Sequence, residues 1–488
     1  MKKKDIAIHI IQILLIIIFS ISIVKKEFQN DTFFTIAIGN RVLEYGIESE
    51  EKLVWHEGLE YTNSRWLFDV IVSKIYQIFS WQGIYGFVMI VTAVQGLLIY
   101  YVINKNTKNK FISFISSLII MKLLEHEFTA RSQLLSFLIF LIEFYFIERL
   151  LETNKNRYLI GLGILAILLV NIHASVFPMY FVFYLPYLAE IIIEKLKLKD
   201  GNKLIIEKKY FLKLIVSMLI GAILGFAAPK GMSPYTDMFK AMGGISTNFI
   251  AELQPLTIIS GWEIFAMLSI VIAIISFTKT KIRISDCFFI LGFALMGLYT
   301  DRCKFFFYLI SGICIVRIIN DCINEHNLNF DFITQKYKII IFVIISIMIV
   351  FISLNQLLNN LKKDYIDSMI YPVGATEYIL NNIPLEKMKI YNHFNFGSYL
   401  EFKGIKSFID SRSGVFTEEF NPGTTILEDW LSLENGNIHY RKIFEKYDIT
   451  HILMYSEEIA NIYIKEDPEW NLIYQDDQFY IYEKIEKK

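Results

Sequence analysis

Ile6-Ala-Ile-His-Ile-Ile-Gln-Ile-Leu-Leu-Ile-Ile-Ile-Phe-Ser-Ile-Ser-Ile-Val24 is an apolar run without a formal charge. Its length is close to the ~20 residues with which a helix crosses the hydrocarbon of a bilayer. Lys2-Lys3-Lys4 stand before it and Lys25-Lys26 after it. The pattern is that of a secretory signal, but no small-x-small cleavage site follows Val24, so the run is expected to be a retained first span.

Working outward, further apolar runs fall at about 82–103, 111–124, 132–150, 157–172, 175–194, 210–228, 262–278, 285–300, 303–323 and 338–356. Hydrophobic residues make up 54% of the 488, more than a soluble domain can place in its core, so the excess requires a second apolar solvent. The expected fold is a multi-pass α-helical membrane protein of about eleven transmembrane helices. Orientation follows from Lys and Arg. Lys105, Lys108 and Lys110, then Arg149, Lys155 and Arg157, the stretch from Lys195 to Lys209, Lys279, Lys281 and Arg283, and Lys336 with Lys338 all fall in alternate connections. These are the connections that share a side with the N-terminus, and the positive-inside rule makes that side cytoplasmic. Residues 358–488 then lie outside the cytoplasm.

A net charge of −1 gives no field that would gather nucleic acid. The four cysteines (Cys287, Cys303, Cys314 and Cys322) sit in or beside apolar runs, without a CxxC pair, and read as small buried residues.

The chain divides at about 357 into a transmembrane part, 1–357, and a soluble tail, 358–488. Two outer connections are long, 25–81 and 229–261. In the first, Asp31, Phe34, Ala37, Ile38, Val42 and Tyr45 fall at helical spacing and Gly46 ends the run. This predicts an amphipathic helix on the membrane surface with Asp31 near its N-cap, and a second such helix over 66–79. The tail reads as a small α/β domain. Strands are expected at 387–402, 405–409 and 450–455, with a hairpin at 470–483 turning on Asp476-Asp477; helices are expected at 375–380, 425–433 and 440–447.

Charged residues in a bilayer cost on the order of 2.5–3.5 kcal/mol each, so the polar residues at span ends invite a functional reading. Those at the outer ends are Asp31, Glu57, Arg65 and Asp69; Glu125, His126, Glu127 and Arg131; Asn171 and His173; Lys230; Glu252; and Asp301, Arg302 and Lys304. Glu125, His126 and Glu127 hold metal-ligand types, but three consecutive residues rarely aim at one ion. Asp410 and Arg412 in the tail read as a structural pair.

Several short motifs in this order resemble the GT-C glycosyltransferases, in particular bacterial members of the protein mannosyltransferase and aminoarabinose transferase type. They are Asp31-Thr-Phe-Phe-Thr-Ile-Ala-Ile-Gly39 with Gly46, Arg65-Trp-Leu-Phe-Asp69, Thr129-Ala-Arg-Ser-Gln133 and Asn171-Ile-His-Ala-Ser175. In the tail they are Phe396-Gly-Ser-Tyr-Leu400 and Phe408-Ile-Asp-Ser-Arg412. The resemblance implies transfer of a sugar from a polyprenyl-phosphate-linked donor to an extracytoplasmic glycan, lipid or protein acceptor, with inversion. It further implies an acidic base in the first outer loop, the position of Asp31. Arg131, Arg302, Lys230 and Lys304 are the cations offered for the lipid phosphate, with His173, Glu57, Arg65 and Asp69 as further substrate contacts. Asn30 stands where a paired acid would support a metal-dependent version, so no cofactor is required; a divalent metal is possible but not indicated. The setting implied is a bacterial plasma membrane. A flippase of lipid-linked saccharides, or a non-catalytic envelope-assembly protein, are the alternatives; the first would show internal repeats and mid-membrane charges.

Overall fold

The computed structural model describes residues 3–195, 208–326 and 335–485. The basic stretch at 196–207 lies outside them. Among the described residues, four helices are long and apolar enough to cross a membrane: Trp66–Thr107, Ala174–Ile193, Asp301–Glu325 and Ile339–Leu361. Shorter apolar helices cover Ile6–Ser22, Asn156–Ile172, Phe211–Ala227, Trp262–Thr278 and Ile284–Tyr299. Helices Lys110–Leu123 and Gln133–Thr153 take up the two remaining apolar runs. Every apolar run of the sequence is therefore helical, as it must be where no water can satisfy backbone groups.

The chain folds as two compact units. The first combines residues 1–26, 85–235 and 248–363 and holds most of the apolar helices; the second combines 27–84, 236–247 and 364–488. The first outer connection thus belongs to the same unit as the tail.

Within the second unit, helix Asn30–Tyr45 is the central element. Residues 32–39 are buried without a break, so the helix is enclosed on all sides instead of lying amphipathically on a surface. Phe33 packs edge-on against Tyr371 and Tyr399 at 4.8 and 5.1 Å, and Trp81 joins the same aromatic cluster. Gly39 permits the closest approach: a Cβ there would overlap the carbonyl oxygen of Asp69. The helix ends at Gly46 in a positive-φ conformation (φ 81°), as its sequence predicts. The next helix starts at Trp66 and breaks at Ser80 (φ 55°, ψ −153°), which separates 66–79 from the apolar span that follows.

The tail carries a four-stranded mixed sheet of β1 (Ile390–Asn392), β2 (His451–Tyr455), β3 (Trp470–Gln475) and β4 (Phe479–Lys484), in the order β1-β2-β4-β3. β1 runs parallel to β2 and the other pairs are antiparallel. The β3–β4 turn is set by Asp476, whose Oδ1 accepts the amides of Gln478 and Phe479. The long strand expected at 387–402 shrinks to β1, and Gly397–Phe402 is helical. Phe396, Tyr399 and Leu400 are all buried, a helical spacing that dense aromatics disguise as strand alternation. The segment 405–409 is no regular strand; its one bridge pairs Ser407 with Val54 of the first connection. Helix Ile459–Ile464 was not expected from the sequence.

Gly39→Ala tests the packing at the helix crossing. Alanine gains about 0.5–1 kcal/mol of helix propensity, while the overlap with the Asp69 carbonyl costs about 1–3 kcal/mol. The purified variant should therefore melt below the wild type. A higher melting temperature would show that the two helices part without cost.

Candidate active site

Helix Asn30–Tyr45 begins after Gln29, which is its N-cap and makes no side-chain cap bond, so Asp31 lies in the first turn and is not the cap. A carboxylate there is favoured by the helix dipole. Its Oδ1 accepts a hydrogen bond from Ser411 Oγ at 3.0 Å, across 380 residues of sequence. Ser411 Oγ lies 3.1 Å from Ser398 Oγ. Next to Asp31, the Asn30 side-chain amide donates to the Phe394 carbonyl at 3.1 Å.

The segment that delivers Ser411 is held rigidly. Asn392 at the end of β1 accepts the Phe408 amide at 2.7 Å and donates to the Ile409 carbonyl at 2.8 Å. Gly397 lets that carbonyl come so near that a Cβ would overlap it. Arg412 then anchors the far end. Its guanidinium donates to Glu51 Oε2 at 2.6 Å, to Asp410 Oδ2 at 2.5 Å and to Glu401 Oε1 at 3.3 Å, and all four side chains are buried. Burial pushes Asp410 up, but the charge and hydrogen bonds of Arg412 outweigh it and hold the carboxyl below its usual range. Burial, with the nearby charge of Asp410, keeps Glu401 well above it. The Asp410–Arg412 pair is structural, as its spacing suggests, and it also ties the tail to the first connection.

Arg65 and Asp69 belong to the same neighbourhood. Arg65 lies over the Phe34 ring at 3.8 Å, donates to Thr35 Oγ1 at 3.1 Å and approaches Asp69 Oδ1 at 3.4 Å. Asp69 is fully buried and within electrostatic range of Asp31 and Arg412. The second unit thus gathers Asp31, Arg65 and Asp69 from the predicted set and adds Ser411, Arg412, Thr35 and Glu51. Glu57 is apart: it is exposed beside the positive-φ Gly58 and makes no ion pair among the described residues.

The first unit holds a second charged group. Arg131 makes a two-pronged contact with Glu252, at 2.7 and 3.2 Å. Lys304 pairs with Asp301 at 2.6 Å. Glu127 lies among them; burial raises its pKa, and it feels Arg131, Glu252, Lys304 and Asp301. Arg302 is exposed and makes no ion pair among the described residues. Lys230 is half-buried in the turn after Pro229, its carbonyl accepting the Ser233 amide. His173 is buried, with Nδ1 2.9 Å from Ser136 Oγ. Glu125 pairs with Lys122 at 2.6 Å and His126 is exposed, so 125–127 do not converge on a metal. Sequence reasoning missed a further buried network, Glu148 with Arg283 and Arg317 at 3.2 and 2.8 Å and Asp286 3.5 Å from Arg317. Of its two arginines, Arg283 marks an inner connection in the sequence and Arg317 falls inside the apolar run 303–323.

No protein-family model and no curated protein matches the sequence. The fold does match solved structures. ArnT from Cupriavidus metallidurans bound to undecaprenyl phosphate aligns at a TM-score of 0.53 and 10% identity, over 99% of this chain and 98% of that one. The oligosaccharyltransferase of Archaeoglobus fulgidus, tethered with an acceptor peptide, aligns at 0.60 and 10% identity, over 93% of this chain and 69% of that one. Its apo form aligns at 0.59. The fold is therefore the one these structures share, a helical multi-pass membrane fold with a small mixed sheet at the C-terminal end.

Arg412→Met tests the anchor. It leaves three buried carboxyl groups without their cation, and breaking such a cluster costs about 3–5 kcal/mol. The variant should melt well below the wild type, and Arg412→Lys should recover only part of the loss because one ammonium cannot serve three carboxyls in a plane. Wild-type stability in Arg412→Met would remove the anchor role.

Proposed function

We propose that the protein transfers a glycosyl group from a polyprenyl-phosphate-linked donor to a hydroxyl or amide acceptor, with Asp31 as the base. The observation that carries this reading is the carboxylate of Asp31, fixed by Ser411 at the head of a buried helix within a fold shared with glycosyltransferases. The donor class is supported by the undecaprenyl phosphate held by ArnT, and the acceptor side by the peptide tethered to the oligosaccharyltransferase.

A sugar on a lipid phosphate already has a good leaving group, so the difficulty lies in the nucleophile. Asp31 takes the acceptor proton as the acceptor oxygen or nitrogen attacks the anomeric carbon and the C–O bond to the phosphate breaks. A single displacement inverts that carbon. Ser411 restrains the carboxylate rotamer, Arg412 holds Ser411 in place through its ion cluster, and Arg65 supplies positive charge on the same unit. In the first unit, Arg131 and Lys304 are the candidates for binding the lipid phosphate. Their carboxylate partners Glu252 and Asp301 hold them in place until a phosphate competes for them. Lys and Arg in alternate connections support an N-terminus in the cytoplasm and a tail outside it.

Reconstituted protein, offered radiolabelled polyprenyl-phosphate sugars and a cell-wall extract, should transfer label. Asp31→Asn should lower kcat by ~10²–10⁴-fold, the usual yield of a positioned base, with lipid binding retained. Ser411→Ala should lower kcat less, and Ser411→Thr should restore it. Equal transfer by the wild type and Asp31→Asn would refute the assignment.

A further inference from the structure

Three residues from separate parts of the tail, none of them among the partners of Asp31 described above, bring nitrogen and oxygen donors together. His393 follows β1, Glu434 closes helix Ile426–Glu434, and Glu458 is the N-cap of helix Ile459–Ile464. One donor atom from each lies within 4.8 Å of the others. His393 Nε2 stands 3.9 Å from Glu434 Oε2.

The carboxylates are oriented from behind. Tyr391 donates its hydroxyl to Glu434 Oε1 at 3.0 Å, and the Tyr455 amide donates to Glu458 Oε1 at 3.0 Å. Each contact leaves the other oxygen uncommitted among the described residues, which is the arrangement that outer partners impose on metal ligands. Trp430 and Tyr455 stand edge-on to the His393 ring, both at 5.3 Å, and wall the cluster with apolar surface. Neither carboxylate has a Lys or Arg partner among the described residues, although other acids buried in this unit, such as Glu51, Asp69 and Asp410, do. Two half-buried carboxylates side by side repel when both are ionised, and either a bound proton or a cation between them relieves the repulsion.

We propose that His393, Glu434 and Glu458 bind one divalent transition-metal cation that clips these three segments of the tail together. One imidazole nitrogen and two carboxylate oxygens suit Zn²⁺ or Mn²⁺ better than Mg²⁺ or Ca²⁺, which favour all-oxygen sets. The proton balance follows from the ring's present bonds. The Asn395 amide donates to Nδ1 at 3.1 Å, which puts the ring proton on Nε2. A cation taken on Nε2 moves that proton to Nδ1 and frees the Asn395 amide, so binding shifts the 393–395 turn. The Phe394 carbonyl in that turn holds Asn30, so the clip also steadies the start of helix Asn30–Tyr45.

The test is metal analysis and titration of the full chain in detergent with Zn²⁺, Mn²⁺, Mg²⁺ and Ca²⁺ separately. One equivalent of Zn²⁺ or Mn²⁺ is expected, with a melting temperature that falls on chelation and recovers on re-addition. His393→Ala and Glu458→Gln should each weaken binding by roughly tenfold or more. If His393→Ala does not fold, the isosteric Glu458→Gln and the chelation melt of the wild type decide the matter. No metal above the buffer blank, binding unchanged in the variants, or a melt indifferent to chelator would overturn the proposal. Sugar transfer is not the readout, so failure here leaves the assignment of Asp31 untouched.

Discussion

The ion cluster around Arg412 is the constraint on which the second unit depends. Its guanidinium meets Glu51 from the first connection and Asp410 and Glu401 from the tail, all of them buried. Buried charges of this kind add little net stability over apolar packing but are very costly to separate. They therefore specify which segments must meet. Around the cluster, the Val54–Ser407 bridge, the Trp55 indole donating to the Ile390 carbonyl and the Asn421 amide pairing with the Glu60 backbone extend the same join. Ser411 lies next to Arg412 in sequence, so the cluster fixes the position of the hydroxyl that reaches Asp31.

The proposed chemistry draws on this construction. A base that must receive a proton in a defined direction benefits from a carboxylate with few accessible rotamers. Asp31 has the helix backbone on one side and Ser411 on another, with aromatic packing of Phe33 behind it. The cations of the second unit are themselves oriented, Arg65 by the Phe34 ring and Thr35, Arg412 by three carboxyls.

The membrane part of the fold was legible because its signal is local: a run of apolar residues becomes a helix whatever its neighbours do. The Ser80 break was legible too, as the gap between the helix expected over 66–79 and the apolar run that starts at about 82. In the tail, β2 and the β3–β4 hairpin declared themselves through alternation and the Asp476 turn. The failures were non-local or ambiguous. Phe394 and Phe396 stand two apart, as along a strand, while Phe396, Tyr399 and Phe402 stand three apart, as on a helix, and the burial of Phe396, Tyr399 and Leu400 follows the helix. The burial of helix Asn30–Tyr45 could not be read from its own residues, because Thr35 and Gly39 look solvent-facing until Arg65, Asp69 and Ser73 close over them. Of the candidate site, Asp31, Arg65 and Asp69 were found by position and charge. Ser411 stands inside the motif Phe408–Arg412, but a serine names no partner far away in sequence, so its bond to Asp31 was not legible.

Hydrogen exchange on the purified full chain tests most directly whether the first connection and the tail are one folding unit. Amides of residues 33–38 and of 399–402 should open together, with the same free energy and the same response to denaturant. If the helix amides stay protected while the tail amides exchange freely, the two segments fold separately and the account of how Asp31 is held is wrong.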